Sequence, residues 1–164
     1  MANAGRKQMT KVLIATGLLG AAVLVVSPAP KAAPLEDSAM VQLDPDYVEG
    51  KKAIADRDWS RAITAFSSAA LRDPRNANIQ SYLGLAYRKS GQLEAAFRHY
   101  DKALALNPRH RGAHEYVGEA YLSVNKLTKA EEHLAALEQI CLLPCDELED
   151  LKEEIDKYRA SSSR

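Results

Sequence analysis

Two cysteines, one tryptophan and two phenylalanines are all this 164-residue chain carries of those residue types, and its formal charge is zero. With so few cysteines it is no disulfide-stapled miniprotein, and without a large positive charge it lacks the electrostatic footprint of a nucleic-acid binder. No P-loop, G-x-G-x-x-G, H-E-x-x-H or G-x-S-x-G pattern occurs, and no nucleophile stands beside a plausible base. The sequence therefore gives no reason to expect an enzyme, a cofactor or a metal. Acid is absent from the first 35 residues, which hold Arg6, Lys7, Lys11 and Lys31. Beyond residue 33 the balance reverses, to 18 basic against 22 acidic side chains, and that mildly acidic body again argues against nucleic acid as the main partner.

The uneven charge is the first clue to organisation. A basic start, "MANAGRKQMTK", precedes "VLIATGLLGAAVLVV", residues 12–26, which carries no charge. Small residues and proline follow. This order predicts a signal segment over residues 1–29 and a periplasmic or secreted body. The apolar run is short for a membrane span of about 20 residues. An uncleaved anchor remains the alternative, with the body outside the cytoplasm, because Pro30 follows the cut after Ala29. Membrane contact is expected only through residues 12–26. Residues 30–42, rich in Pro, Ala and acid, read as a flexible linker.

Beyond the linker the chain repeats. Gly50, Gly84 and Gly118 are 34 apart; so are Ala62, Ala96 and Ala130, then Phe66, Tyr100 and Leu134, then Pro74 and Pro108. The clearest unit holds Leu83-Gly84-x-x-Tyr87, Ala96-x-x-x-Tyr100, Ala103 and Pro108. It resembles the tetratricopeptide repeat (TPR), whose pattern is W-x2-L-G-x2-Y, A-x3-F and P at period 34. Gln80 and His114 stand at the tryptophan site of the second and third repeats. Three repeats are expected, at 43–76, 77–110 and 111–144, each a helix pair A and B. The fold class is all-α, a helix-turn-helix solenoid closed by a capping helix over 145–160 and a tail at 161–164.

Elementary physics supports the same division. Small residues let paired helices approach, and the large residues beside them fill the remaining gap. Gly91 and Asn125 suit a left-handed helix end. Arg57 at the equivalent place predicts a less regular turn. Trp59, Leu93 and Leu127 are expected to plug the elbows. Asp44-Pro45 reads as an N-cap followed by the first helical residue, and Asp146 with Glu149 as a capping-box variant. Leu148, Leu151, Ile155 and Tyr158 make one apolar stripe on the cap.

The resemblance implies a protein or peptide partner held on a concave face built by the A helices, and an adaptor or scaffold role. Helical spacing from the glycines nominates Tyr47, Lys51 and Ile54, then Asn78, Ser81, Leu85, Arg88 and Lys89, then Glu115, Glu119 and Leu122. Tyr47, Lys51 and Asn78 do not reproduce the Lys, Asn and Arg set with which some TPR domains grip a terminal carboxylate. His110 and His114 are four apart but lack a third ligand nearby, so a structural role is expected. Cys141 and Cys145 flank the elbow before the cap. An oxidising compartment favours a disulfide there. Two half-buried thiols, or a redox or metal-handling accessory role, are the alternatives. A membrane-anchored assembly factor is a further one.

Overall fold

A computed structural model describes residues 44–162. The signal, anchor and linker expectations over residues 1–42 lie outside the described residues, as do Leu43 and positions 163–164 of the tail. The described chain is all-helical: α1 (Pro45–Ala55), α2 (Trp59–Arg72), α3 (Ala77–Lys89), α4 (Leu93–Leu106), α5 (Arg111–Ser123), α6 (Leu127–Ile140) and α7 (Asp146–Ser162). Helices pair as α1–α2, α3–α4 and α5–α6, and the pairs stack through α2 on α3 and α4 on α5. The last helix packs on α5 and α6 as α5 packs on α3 and α4, so it takes the place of a fourth A helix. A helix pair cannot bury its apolar face alone, and this stacking supplies the missing cover.

Local chemistry sets the helix ends. The Asp44 carboxylate accepts from the N–H groups of Asp46 and Tyr47, at 2.9 and 3.1 Å, and Pro45 opens α1. Arg72, at the end of α2, grips Asp44 with two hydrogen bonds of 2.6 and 2.7 Å. That grip, with the capping N–H groups, holds the Asp44 carboxyl at about 2. Between the helices of each pair the chain turns through a left-handed residue: Arg57 (φ 57°), Gly91 (φ 82°) and Asn125 (φ 57°). The three turns share one hydrogen-bond pattern, exemplified by Asp58 N–H to Ala53 O at 2.8 Å and Lys126 N–H to Tyr121 O at 2.9 Å. The expectation of an irregular first turn is thus corrected. Packing on either side dictates the turn, and Arg57 accepts the steric cost of its Cβ. Arg57→Gly should therefore stabilise the protein by about 1 kcal/mol, measured as a rise in chemical-denaturation midpoint with an unchanged slope. Trp59, Leu93 and Leu127 sit half-buried in the elbows.

The glycine columns bring helices together, with one departure. A Cβ on Gly50 would lie 2.7 Å from the Phe66 ring, and one on Gly84 would lie 2.4 Å from Tyr100. Both rings are fully buried. In the third repeat the neighbour is Leu151 of the cap, 2.7 Å from the corresponding Cβ position on Gly118. Leu134 is the residue expected to fill that gap, but it is shorter than Phe or Tyr and stays half-buried. Leu151 enters in its place and locks α7 to the array, together with the buried Ile155.

Cys141 and Cys145 form a disulfide, with Cα atoms 6.1 Å apart. The bridge joins the residue after α6 to the residue before α7. Cys145 itself holds the cap position, its carbonyl accepting from Leu148 and Glu149 at 3.2 and 3.3 Å. Asp146 is the first helical residue, so the capping-box reading is corrected: its carboxylate lies with Glu147 and Glu149 in the first turn, where it complements the helix dipole. The helix runs on through Ser161 and Ser162. Leu142 and Leu143 stand out at the loop tip, 89% and 79% exposed. So short a loop gives the bridge about 2 kcal/mol by loop-closure entropy. Native protein should show no free thiol under denaturing conditions. Reduction should speed hydrogen exchange across α7 while leaving α1–α4 nearly unchanged.

Candidate functional site

The A-helix stripe is only partly a surface. Tyr47 is 6% exposed, with its ring edge-on to Phe66 and Tyr82 at 5.8 and 6.0 Å. Ser81 and Leu85 are buried as well, and Ile54 and Asn78 half-buried. The expectation that Tyr47, Ser81 and Leu85 line an open face is corrected: all three are buried, Tyr47 against Phe66 of α2 and Tyr82 of α3. Lys51 stays exposed, but its ammonium donates to the Tyr82 hydroxyl at 2.7 Å and lies 4.5 Å from the centre of that ring.

Four expected residues do meet. Arg88 and Lys89 of α3 and Glu119 and Leu122 of α5 line an open groove of about 580 Å³. Its far wall is α7, through Glu154, Lys157, Tyr158 and Ser161. These wall residues escaped the sequence reading, which assigned Tyr158 to the apolar stripe, Glu154 and Lys157 to the polar remainder of the cap, and Ser161 to the tail. The missed signal is the repeat itself: residue 146 lies 34 after 112, so the cap continues the A-helix register. Arg88 and Glu119 form a half-buried ion pair across the groove floor. Lys157 is held by Glu153 and Glu154, at 2.7 and 2.9 Å. Lys89 is exposed at the rim. The two groove serines donate to backbone carbonyls, Ser123 to Ala120 and Ser161 to Tyr158.

Toward the start of α7 the same face turns acidic. Glu115 lies one turn before Glu119 on α5 and is 9% exposed. Burial, and then the carboxylates of Glu119, Asp150 and Glu147, push its carboxyl up to about 8. Glu119 has Arg88 as its cation, and Glu147 has Arg111 at 3.6 Å.

A second set of polar residues follows the repeat. His99 donates from Nδ1 to the Gln80 side-chain carbonyl at 2.9 Å and stacks on Tyr87 at 5.2 Å. Exactly one period on would stand His133, His114 and Tyr121, and the structure places them alike: the histidine Nδ1 atoms are 2.9 Å apart, and His133 stacks on Tyr121 at 5.7 Å. His114 Nε2 must donate to the Pro108 carbonyl, 3.0 Å away, so in the neutral pair His133 donates to His114. Burial and the neighbouring His114 pull His133 down to about 4. The polar residues at the tryptophan site thus tie each A helix to its B helix. His110 caps α5, its Nδ1 accepting from Ala113 N–H at 3.1 Å. Both histidines of the "RHRGAH" pair have structural tasks.

The family model described as tetratricopeptide repeat matches residues 47–108 and 83–141. No curated protein matches the chain. Among solved structures it is similar to the Sgt2 TPR domain from Aspergillus fumigatus, with 23% identity over 77% of this chain and 81% of that one and a TM-score of 0.64. The TPR2B domain of yeast Sti1, in its complex with pHsp70, is 25% identical over 77% of this chain and all of that one, TM-score 0.62. SycD, the type III secretion translocator chaperone of Yersinia enterocolitica, is 16% identical over 80% and 92%, TM-score 0.65. Such identities speak to the fold.

Proposed function

Since this chain belongs to the tetratricopeptide-repeat family, we propose that it is a protein-interaction module, an adaptor or scaffold that takes a segment of a partner protein into the groove between α3, α5 and α7. The observation that carries this reading is the groove itself: an open channel of mixed chemistry with exposed Lys89 at its rim and the aromatic Tyr158 in its wall. A domain of this architecture, from yeast Sti1, is seen in complex with pHsp70. The basic start and uncharged residues 12–26 support export to a periplasmic or extracellular site, with an uncleaved anchor and a membrane-bound assembly role as the variant of that reading. Cys141 and Cys145 serve as a brace for α7: Cys145 is buried, unlike the accessible sulfur that redox or metal handling needs. Replacing both by serine should weaken the cap and retain the partner; loss of the partner in a folded variant would favour the accessory-protein role.

The test is capture of partners from extract with the full chain as bait. Lys89→Glu combined with Ser161→Trp reverses the rim charge and fills the groove without touching the core. It should reduce capture at least about tenfold, a change of about 1.4 kcal/mol, with an unchanged helical circular dichroism spectrum. Arg98→Glu, on the exposed face of α4, should have no effect. Equal loss from both would move the binding face away from the groove.

A further inference from the structure

Glu115 is the most deeply placed acid on the concave side, and it accepts no hydrogen bond from any described residue. Its neighbours make this unusual. From its own helix Glu119 faces it, and from α7 Glu147 and Asp150. From α3 the one nearby cation is Arg88, already committed to Glu119. Tyr116 and Tyr100 complete the surroundings as neutral phenols. A buried carboxyl with like charges on two sides and no cation of its own normally costs stability and persists only where something offsets it. Of the other cations of this face, Lys51 is on Tyr82, Lys157 on Glu153 and Glu154, and Arg111 on Glu147, while Lys89 stands exposed at the rim.

We propose that the partner segment carries a lysine or arginine whose side chain passes Glu119 and places its cation on Glu115, with Glu147 and Asp150 as outer acids. This rests on the groove reading above and specifies the partner's chemistry: a basic residue within the bound stretch. Geometry favours a long side chain. Glu115 lies one helical turn below a residue that lines the groove, a step of about 5.4 Å, which the flexible stem of Lys or Arg spans. Cation binding selects the ionised carboxylate, so a proton leaves Glu115 as the partner's cation arrives.

A phage-displayed library of random short peptides, selected against the full chain at physiological salt, tests this. Only peptides whose binding is lost with Lys89→Glu plus Ser161→Trp are retained, which confines them to the groove. The expected survivors share a Lys or Arg. Its exchange for norleucine or citrulline should weaken binding about tenfold. Glu115→Gln should weaken the parent peptide by the same factor and leave the neutral analogue unchanged. Calorimetry in two buffers of different ionisation heat should show proton release on binding that Glu115→Gln abolishes. Groove-dependent peptides lacking a basic residue, or indifferent to Glu115→Gln, would overturn this inference and leave the groove reading standing. A selection that yields no groove-dependent peptide would count against the groove itself, and the inference would fall with it.

Discussion

Replacing Gly84 by alanine is expected to destabilise the fold by about 3 kcal/mol, although the same change in an open helix stabilises by about 1 kcal/mol. The sign is decided by Tyr100. A Cβ on Gly84 would lie 2.4 Å from two atoms of the Tyr100 ring, which is fully buried and cannot swing into solvent. The backbones of α3 and α4 must therefore separate, and their separation loosens the contacts on both neighbouring pairs. The third repeat supplies the control. At Gly118 the obstructing atoms are the two methyl groups of Leu151, the far end of a flexible side chain. Gly118→Ala should cost about 1 kcal/mol or less, since part of the clash is relieved by rotation and part is offset by helix propensity. Urea unfolding of the two variants beside the parent measures the contrast. Equal effects would mean that the aromatic ring is not what fixes the spacing.

Glu115→Gln should act in the opposite direction, raising stability by about 3 kcal/mol at and above pH 8 and very little near pH 4. The sign follows from the proton balance. Glu115 titrates near 8 in the folded protein against an ordinary 4.5. Below 4.5 both folded and unfolded chains hold the proton, and the carboxylic acid is tolerated. As pH rises from 4.5 to 8 the unfolded chain releases it while the folded chain keeps it, so stability falls throughout that interval and levels off above 8. Glutamine keeps the shape and never ionises, so the fall disappears. His133 works the other way, losing stability as pH drops below its ordinary 6.5 toward about 4. Taking the difference between variant and parent removes that contribution. Denaturation midpoints between pH 4 and 9 test the point, and a difference that does not grow with pH would show that Glu115 is solvated.

The period, the paired helices, the Asp44-Pro45 start and the left-handed Gly91 and Asn125 were all legible in the sequence, because each depends on local sterics or on a spacing of 34. Depth was not. Helical spacing locates Tyr47, Ser81, Leu85 and Glu115 on one side of their helices, but whether that side is open depends on how far apart neighbouring helices stand. Arg57 shows the converse: a residue with poor local preference takes the left-handed shape because the packed helices on either side fix the turn. The α7 wall of the groove was hidden by composition, since a polar cap helix reads as solvated. The Gln80–His99 and His114–His133 pairs obey the same 34-residue step as the apolar columns, but polar residues at a site normally held by tryptophan carry no packing signal until the partner on the B helix is seen.

The central claim is that partners enter the groove between α3, α5 and α7. A photo-reactive benzoylphenylalanine placed in turn at Lys89, Ser161 and Arg98 of the full chain tests it most directly in the protein's own cellular setting. Irradiation should yield covalent partner adducts from positions 89 and 161 and none from position 98. Adducts from position 98 alone, with 89 and 161 silent, would contradict the account.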